Sequence, residues 1–454
     1  MVRSTVLTLA WVLVCLAHPA WAVDRTAASC SSAAVQATID ASANGDGVII
    51  PAGNCTWTAQ VTTKQKALRI VGNNPNPTLP AQGSDGTVVI TGSSPGGSVA
   101  AYFVAYEATS INVEISNLTF VQAGTGSENP SSGGGFVFVS HVVGGKPVSF
   151  HHNTYITHQC GPTRGIATTY NRGVYWRNKF LSDVPLAPCG WLNTVGALAL
   201  YPNIPDGTAL YNSPTTLGAL DTNGDQHLYF ETNYMENMSN QALDSQDGSR
   251  MVIRYNTFVD SSIGNHGHDS GPIGTRQWEV YNNTFILTDR GNDTANIGRW
   301  IMYRGGTGVI TDNIIPLLNL PGFGGVHPDV HALLFTLYQD QCYRGTYPWL
   351  RQPGWGWSGT QTDIHGDPQV LDAIYFWNNR RSVGGPLAAG IVAGAILNQC
   401  GTPPPPITDF LQAGRDYYND ADAPNGKSGY VKYRYPHPLT LSLPPGSPSN
   451  LQVR

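Results

Sequence analysis

A short pattern of apolar and polar positions recurs along the middle of the chain. Each copy runs apolar, two variable residues, Asn, one variable residue, apolar. The six copies occupy residues 150–155, 175–180, 230–235, 253–258, 280–285 and 310–315. Their asparagines lie 23 to 30 residues apart, except for one interval of 55 residues, which indicates an extra coil or an insertion. No helical period runs through these segments, so the pattern favours strands.

The repeated pattern predicts a parallel β-solenoid in which each copy forms a strand, a tight bend and a second strand. Asparagine accepts a left-handed bend at low energy, and stacked asparagine side chains can hydrogen-bond along the axis. The apolar residues Val252, Phe258, Val280 and Phe285 are expected to point inward. Six copies in one register are typical of a solenoid, whereas a single copy would indicate little.

The segment before the repeats predicts a cap for the open end of the solenoid. Residues 32–43 can form a short helix that starts at a serine, and residues 45–53 follow as a first strand. Such a helix and strand would cover a sheet edge that is otherwise exposed.

Composition narrows the class of protein. Only 12% of the 454 residues are charged, against about 25% in an ordinary soluble domain. The 51 glycines and 32 prolines are typical of many short strands and turns. Coiled coils, helical bundles and disordered charged chains are therefore excluded. The net charge of -5 and the pI near 6.2 argue against a nucleic-acid partner, which needs a basic face.

The first 22 residues are typical of a secretory signal. Arg3 precedes an apolar stretch over residues 6–16, and Ala20-Trp21-Ala22 fits a small-x-small cleavage site. The stretch is shorter than the about 20 residues needed to span a membrane. We therefore expect a secreted protein, extracellular or periplasmic, with no membrane contact once residues 1–22 are removed.

Cysteine usage agrees with export. Six cysteines remain after residue 22, and an even number in an exported chain indicates disulfides, although six allow 15 pairings. No C-x-x-C occurs, which argues against a zinc ribbon or a thioredoxin-like site. Neighbours along the sequence suggest the pairs Cys30–Cys55, Cys160–Cys189 and Cys342–Cys400.

Residues 35–57, together with the asparagine-containing coils that follow, resemble the pectate lyase and polygalacturonase (pectin lyase-like) superfamily over about residues 30–315. The resemblance implies an all-β fold, a right-handed parallel β-helix (solenoid) with an N-terminal capping helix and an irregular C-terminal extension. We expect the β-helix and its cap over residues 23–320 and a monomeric protein. The superfamily contains lyases, hydrolases, esterases and tailspikes, so the reaction depends on the site.

The C-terminal region, residues 321–454, is expected to hold the last coils, an aromatic loop and a tail. Residues 343–357 are densely aromatic; they would either stack on sugar rings or fix a long loop to the side of the body, and we favour the second interpretation. Residues 374–379 are expected to form one more coil, and residues 417–439 a tail that docks back on the body.

Candidate chemistry lies on consecutive coils. Two Ala-Leu-Asp segments end at Asp221 and Asp244, 23 residues apart, which is also the offset between Asn233 and Asn256. Neighbouring strands lie about 4.8 Å apart, so the two aspartates are expected to stack. Adjacent carboxylates repel, which raises the pKa of one of them or recruits a cation. The alternative is that each aspartate is a turn residue that binds local amides.

The coils that follow extend this row of polar side chains. Asn265-His266-Gly267-His268-Asp269 precedes one strand, and Tyr303-Arg304 precedes the next. Acids, histidine and arginine along one ridge are typical of a sugar-processing cleft. The candidate catalytic residues are Asp221, Asp244, His268 and Arg304; the candidate substrate-binding residues are Arg164, Arg172, His266 and Tyr303; the candidate metal ligands are Asp221, Asp244 and Asp269.

Two reactions use this row differently. The resemblance to polygalacturonases implies hydrolysis, with one aspartate as general acid, the other activating water, a histidine tuning the pair and Arg304 holding a sugar carboxylate. The resemblance to pectate lyases implies β-elimination: the aspartates hold Ca²⁺, which takes six to eight oxygen ligands, and Arg304 or His268 removes a proton. We favour β-elimination on a uronate-containing polysaccharide. Hydrolysis stays open, as does a non-catalytic, glycan-binding or adhesive solenoid.

Overall fold

The computed structural model describes residues 23–74, 79–93, 102–123, 136–140, 142, 144–158, 165–169, 172–182, 199–200, 227–238, 242–245, 249–267, 275–288, 299–316, 331–339, 347–349, 352–362, 368–388, 391–398, 403–420 and 426–440. These residues form one α-helix, two short 3-10 turns and strands that we number β1 to β32 in chain order. The strands stack into three long sheets, A, B and C, in which paired neighbours run parallel.

Sheet A has twelve strands. In hydrogen-bonded order they are β1 (Asp24–Thr26), β2 (Gly47–Ile50), β5 (Arg69–Gly72), β8 (Val113–Ser116), β11 (Val148–His151), β14 (Gly173–Trp176), β17 (Leu228–Glu231), β20 (Arg250–Arg254), β23 (Gln277–Tyr281), β26 (Thr307–Thr311), β30 (Ile374–Trp377) and β32 (Tyr417–Tyr418).

Sheet B has eight strands. In chain order they are β3 (Gly53–Trp57), β6 (Val88–Ser93), β9 (Thr119–Ala123), β12 (Thr154–Thr157), β15 (Lys179–Ser182), β18 (Tyr234–Glu236), β21 (Thr257–Val259) and β24 (Thr284–Ile286).

Sheet C consists of two five-stranded runs. The first is β4 (Val61–Thr62), β7 (Phe103–Tyr106), β10 (Val137–Ser140), β13 (Ile166–Thr169) and β16 (Ala199–Leu200). The second, which begins beside β16, is β19 (Leu243–Ser245), β22 (Ile263–Asn265), β25 (Arg299–Tyr303), β27 (His331–Gln339) and β31 (Ile391–Asn398). A separate antiparallel pair joins β28 (Trp355–Thr362) to β29 (Pro368–Leu371).

The chain visits sheets A, B and C in turn, and each circuit pairs with the circuit before it. For example, β17 pairs with β20, β18 with β21, and β19 with β22. This is a parallel β-helix, as the repeated pattern predicts.

The predicted capping helix is present as α1 (Ser32–Ala41). The Ser31 side chain accepts a hydrogen bond from the Ala34 N–H at 3.3 Å, which caps the first turn of the helix. Val35 and Ile39 are buried, and α1 packs against β2, β3 and β4 at the end of the coil stack. The helix therefore covers the apolar interior of the first coil.

Seven buried asparagines form a ladder in the bend between sheets A and B. From Asn178 onward, each side-chain oxygen accepts hydrogen bonds from the asparagine one coil earlier, as from the Asn233 N–H to Asn256 Oδ1 at 2.9 Å; Asn153 Oδ1 accepts from the Leu118 N–H. Each amide also donates to a carbonyl of a neighbouring strand, such as Asn283 Nδ2 to Ile253 O at 2.9 Å. The ladder consists of Asn153, Asn178, Asn233, Asn256, Asn283, Asn313 and Asn379. Asn379 confirms that residues 374–379 form one more coil.

The left-handed residue of each bend is the one before the ladder asparagine, which corrects the role expected for the asparagine itself. Arg177, Thr232 and Tyr255 have φ angles of 52°, 55° and 57°. The asparagine that follows is buried and forms hydrogen bonds along the axis of the stack. Asparagine therefore recurs at this position of each bend because of its hydrogen bonds and not because of its backbone preference. The full column is His152, Arg177, Thr232, Tyr255, Asn282, Asp312 and Asn378.

The long interval in the repeat is an insertion and not a hidden coil. Asn178 bonds directly to Asn233 across 55 residues, at 2.9 Å from its N–H to the partner's Oδ1. The flanking strands β14 and β17 also pair directly, as do β15 and β18. The ladder and sheets A and B therefore continue across the interval without an added strand, and its described residues 199–200 form β16 beside β13 in sheet C.

Apolar side chains fill the inside of the coils, with one exception to the predicted set. Phe258, Val280 and Phe285 lie in the main core. Val252 instead belongs to a second apolar cluster on the outer face of sheet A, together with Trp176. The expectation for Val252 was wrong because Met251 and Ile253 take the inward positions on β20.

The C-terminal segment 426–440, which we call the tail, covers the outer face of sheet A. Tyr433 packs into the cluster that contains Val252, and the Tyr435 ring stacks on Tyr255 with ring centroids 3.8 Å apart. Tyr430 OH donates to Glu279 on β23 at 2.9 Å. The tail thus converts an outer sheet face into a second, smaller core.

Two further observations concern the cysteines and membrane contact. Cys30 and Cys55 form a disulfide at the capped end, as sequence neighbourhood suggested. The other four paired candidates, Cys160, Cys189, Cys342 and Cys400, lie outside the described residues. Over the described ranges, no helix has the length and hydropathy needed to cross a bilayer.

Candidate functional site

Three sequence-predicted residues meet on the outer face of sheet C. Asp244 is the middle residue of β19, between the inward-pointing Leu243 and Ser245. His266 directly follows β22, and Arg304 directly follows β25. Since side chains alternate along a strand, all three residues take outward positions on three consecutive coils.

Hydrogen bonds join the three side chains in a row. His266 Nε2 lies 3.1 Å from Asp244 Oδ2, and Arg304 Nη1 lies 2.9 Å from His266 Nδ1. Gly264 is the β22 residue opposite Asp244, and it has no side chain. The His266 ring can therefore reach the Asp244 carboxylate diagonally across the two strands. The row therefore forms where a missing side chain lets neighbouring coils interact diagonally.

The donors fix the tautomer of the histidine. A guanidinium only donates, so His266 Nδ1 accepts from Arg304. Nε2 then carries the hydrogen of the neutral ring and donates it to Asp244 Oδ2. Both ring nitrogens are engaged, so His266 orients the other two side chains and has no nitrogen left for a substrate.

Asp244 has a buried carboxylate oxygen that lacks a hydrogen-bond partner among the described residues. The residue is 6% exposed, and its Oδ1 is buried without a hydrogen-bond partner among the described residues. A buried carboxylate oxygen without a donor is energetically unfavourable, by about 1–3 kcal/mol or more. Such atoms are typical of positions where a ligand supplies the missing partner.

Glycines bring the main chains of the site close together. A Cβ on Gly267 would lie 2.4 Å from the Arg304 carbonyl oxygen. Gly306 has a φ of 81°, and a Cβ there would lie 2.2 Å from the Thr275 carbonyl oxygen. Any larger residue at either position would push the Arg304 segment away from His266.

The interior beneath the site is polar, which the sequence interpretation did not anticipate. Ser245, Asn265 and Thr275 are buried. Thr275 Oγ1 donates to the Ser245 carbonyl at 2.7 Å, and Asn265 Oδ1 accepts from the Arg304 N–H at 2.7 Å. Asn265 directly precedes the candidate residue His266 in the sequence. This position was the sequence signal that could have indicated a role for Asn265.

The remaining candidates divide into two groups. Tyr303 lies in the core, where it is fully buried and its OH donates to the Thr307 carbonyl at 2.6 Å; burial raises its pKa. Arg172 donates to the Gly145 carbonyl at 2.7 Å and lies before β14, away from the row. Tyr303 and Arg172, both predicted to bind substrate, therefore do not join the row that contains Asp244. Asp221, Arg164, His268 and Asp269 lie outside the described residues.

The described residues do not by themselves fit a calcium site. Ca²⁺ takes six to eight oxygen ligands, and Asp244 offers one free carboxylate oxygen. Across the described residues, no group of three or more His, Cys, Asp and Glu side chains is placed to hold a metal. We therefore derive no step through calcium.

A second set of buried charges lies beneath the tail. Arg254 Nη2 lies 2.7 Å from Glu231 Oε2, and both side chains are almost fully buried. Glu279 accepts from Tyr430 OH, and burial raises the pKa of Glu279 to about 8. These groups bond to the tail and to one another, so they serve to attach the tail.

The aromatic loop is anchored to the body, in agreement with the second interpretation of residues 343–357. Trp349 and Trp355 are buried. Trp349 packs edge-on against Phe410, and the Tyr347 OH donates to Asp416 at 2.8 Å. These rings are not available to stack on a sugar.

Comparison with known proteins adds no further constraint. A scan against protein-family models finds no match, and a search of curated proteins finds none either. The chemistry of the site must be argued from its geometry.

Proposed function

We propose that this protein cleaves an acidic, uronate-containing polysaccharide by β-elimination at the row of Asp244, His266 and Arg304. The observation that carries the proposal is the buried Oδ1 of Asp244, without a described partner, on the same coil face as an arginine held by His266. The likeness of the coils and of this row to the pectate lyase and polygalacturonase superfamily supports it.

The proposed roles follow from the contacts. Arg304 binds the uronate carboxylate through its guanidinium, because a guanidinium matches a carboxylate in shape and charge. This neutralisation acidifies the C–H next to the carboxylate. Asp244 Oδ1 accepts that proton in this proposal, in place of Arg304 or His268, the bases expected from the sequence. His266 holds the acid and the arginine in register.

The reaction balances without an oxidant or a reductant. The C–H electron pair forms a carbon–carbon double bond, and the glycosidic C–O bond on the adjacent carbon breaks. The proton goes to the base, and the leaving oxygen takes a proton from water. The products are a new reducing end and an unsaturated uronate end.

Hydrolysis is the second reaction that the sequence left open. An inverting hydrolase needs two carboxyl groups about 6.5–9.5 Å apart. At this site the described residues place Asp244 alone, and its candidate partner Asp221 lies outside them. Elimination is proposed because it needs one base beside an arginine, and Asp244 and Arg304 lie in one row with His266.

The test is to incubate the purified protein with pectin, polygalacturonate, alginate and glycosaminoglycans, with and without a chelator. New ultraviolet absorbance from unsaturated ends supports the proposal. Reducing ends without that absorbance indicate hydrolysis, and binding without cleavage indicates an adhesive solenoid; either result contradicts the proposal. Loss of activity with chelator, restored by Ca²⁺, would support the calcium prediction.

Asp244→Asn tests the residue assignment. Asparagine keeps the shape but cannot accept the proton, so we expect kcat to fall about 100- to 10,000-fold. Asp260→Asn is the matched control: Asp260 is also buried, but it lies in the bend before β22 and accepts from the Thr288 N–H at 2.7 Å. Full activity of Asp244→Asn would remove Asp244 from the mechanism.

A further inference from the structure

We propose that Asn265 is a positioning residue for Arg304, acting from inside the helix on the main chain of the arginine. This inference rests on the proposed function, and it adds a residue that touches neither the substrate nor the reacting atoms. Asn265 acts by fixing the main chain at Arg304, which sets the direction in which the Arg304 side chain leaves the sheet.

Asn265 occupies an inward position of sheet C where most coils place an apolar or small residue. It is opposite Ser245 on β19, and the inward residue of the next strand, β25, is Tyr303. On β27 the corresponding residue is Phe335. A fully buried carboxamide here is unfavourable unless its hydrogen bonds are satisfied, so its partners reveal its role.

The partners of Asn265 lie in the segment that carries Arg304. The pairing of β22 with β25 ends at Gly264 and Met302, so the strand ladder stops before Arg304. Asn265 Oδ1 accepts from the Arg304 N–H at 2.7 Å, and its Nδ2 donates to the Gly305 carbonyl at 3.2 Å. The side chain thus replaces main-chain pairing where the strand has ended.

The result is a main chain held from two sides at Arg304. Asn265 binds the segment from the interior, and the main chain at Gly267 lies so close that a Cβ there would be 2.4 Å from the Arg304 carbonyl oxygen. The guanidinium then reaches His266 Nδ1 at 2.9 Å. Without the Asn265 bonds, the Arg304 N–H and the Gly305 carbonyl would each lose a buried partner, and the segment would move to regain one.

The ladder asparagines provide a matched control. Asn283 is equally buried and also bonds to main-chain groups, including the Ile253 carbonyl at 2.9 Å. It lies in the bend between sheets A and B, on a different side of the coil from Arg304. Asn283→Ala therefore removes a similar set of bonds without reaching the site.

The experiment compares Asn265→Ala and Asn283→Ala with the full-length protein. Both variants should lower the thermal midpoint. Asn265→Ala alone should lower kcat about 100-fold, as displacement of a catalytic group by about 1 Å does. A kcat equal to that of Asn283→Ala would overturn the proposal.

A second readout does not depend on activity. In ¹⁵N-histidine spectra, the His266 ring should show the Nε2-protonated tautomer in the wild type and a changed tautomer population in Asn265→Ala, because Arg304 no longer donates to Nδ1. Asn283→Ala should leave these signals in place, and unchanged His266 signals in Asn265→Ala would refute positioning. If no polymer is cleaved by the wild type, the proposed function fails while this measurement still decides the role of Asn265.

Asn265→Asp keeps the test decisive if the alanine variant does not fold. A protonated aspartate can accept from the Arg304 N–H and donate to the Gly305 carbonyl, whereas an ionised one loses the donor. The kcat of this variant relative to wild type should rise as the pH falls. A ratio that does not change with pH would contradict the proposal.

Discussion

At the scale of single residues, the site depends on which atoms are already engaged. His266 uses both ring nitrogens within the protein, while Asp244 keeps one oxygen without a described donor. A row that ends in a buried carboxylate oxygen without a described donor is suited to binding a ligand at that end.

The fork of Arg304 gives a specific prediction. Arg304→Lys keeps the charge but loses the planar pair of donors, so we expect kcat/KM on a uronate polymer to fall roughly thirtyfold, equivalent to about 2 kcal/mol. Steady-state kinetics measure this.

The control for Arg304→Lys is Arg172→Lys. Arg172 was also predicted to bind substrate, but its guanidinium donates to the Gly145 carbonyl. We expect its replacement to leave kcat/KM unchanged. A larger loss in Arg172→Lys than in Arg304→Lys would reverse the assignment of the substrate carboxylate.

The sequence predicts residues well where register is constant and poorly where the direction of a side chain depends on a neighbour. Asp244, His266 and Arg304 could be brought together from coil spacing alone. Tyr303 was predicted to bind substrate but lies in the core, because one residue of offset decides between the core and the outside. His266 could not be separated from His268 by pattern, since both stand in the same short glycine-containing segment.

At the scale of elements, the tail is attached by buried acids. Glu279 on β23 faces Tyr430 from the tail and Gln277 on its own strand, with Arg254 on β20 and Lys427 of the tail adding positive charge nearby. Burial outweighs these partners and raises the pKa of Glu279 to about 8. The carboxyl group is therefore neutral in the folded protein at neutral pH.

This pKa predicts a pH dependence of stability. In the unfolded chain a glutamate titrates near its ordinary pKa of about 4.3, so the folded state binds more protons between there and about 8. Stability is fully present below that window and is lost as pH rises through it. Glutamine cannot ionise, so the stability of Glu279→Gln relative to wild type should increase as the pH rises through this window. Above the window, the difference in stability should stay constant.

Thermal midpoints of both proteins across this pH range measure the effect. The matched control is Glu236→Gln on β18, where Glu236 likewise accepts a tyrosine hydroxyl, from Tyr234 at 2.9 Å, but away from the tail. The same pH-dependent gain in the control variant would show that the effect does not come from the tail.

The tail also explains why one element was misread. From the sequence, β20 alternates as expected, and Val252 looks like any core residue. It is buried by a segment about 180 residues further along, which local periodicity cannot reveal. The asparagine ladder, in contrast, was visible in the sequence because each rung needs the same residue in the same bend.

At the scale of the whole molecule, the coils form a linear stack in which the strands of each coil pair with those of the coils on either side. Stability in such a stack depends on the ends, where a coil has one neighbour. The N-terminal end is closed by α1 and by the Cys30–Cys55 disulfide, which joins a residue two positions before the helix to β3.

The disulfide at this end predicts a measurable loss. Cys30→Ser with Cys55→Ser removes a cross-link that spans 25 residues, which corresponds to about 3 kcal/mol in the chain-entropy view. Denaturant unfolding of the double variant and wild type under non-reducing conditions checks the value. A midpoint equal to wild type would show that α1 closes the end without the cross-link.

The bend that carries the ladder has the same length at each described coil from β8 to β23, whereas the circuit between sheet B and the next strand of sheet A ranges widely in length. One flank of the molecule therefore acts as a fixed spine, and the opposite flank tolerates additions such as the long insertion after β15. Segments from another solenoid could therefore be grafted onto that opposite flank without changing the bend that carries the ladder. Such grafts could extend the site to bind longer or branched polysaccharide chains.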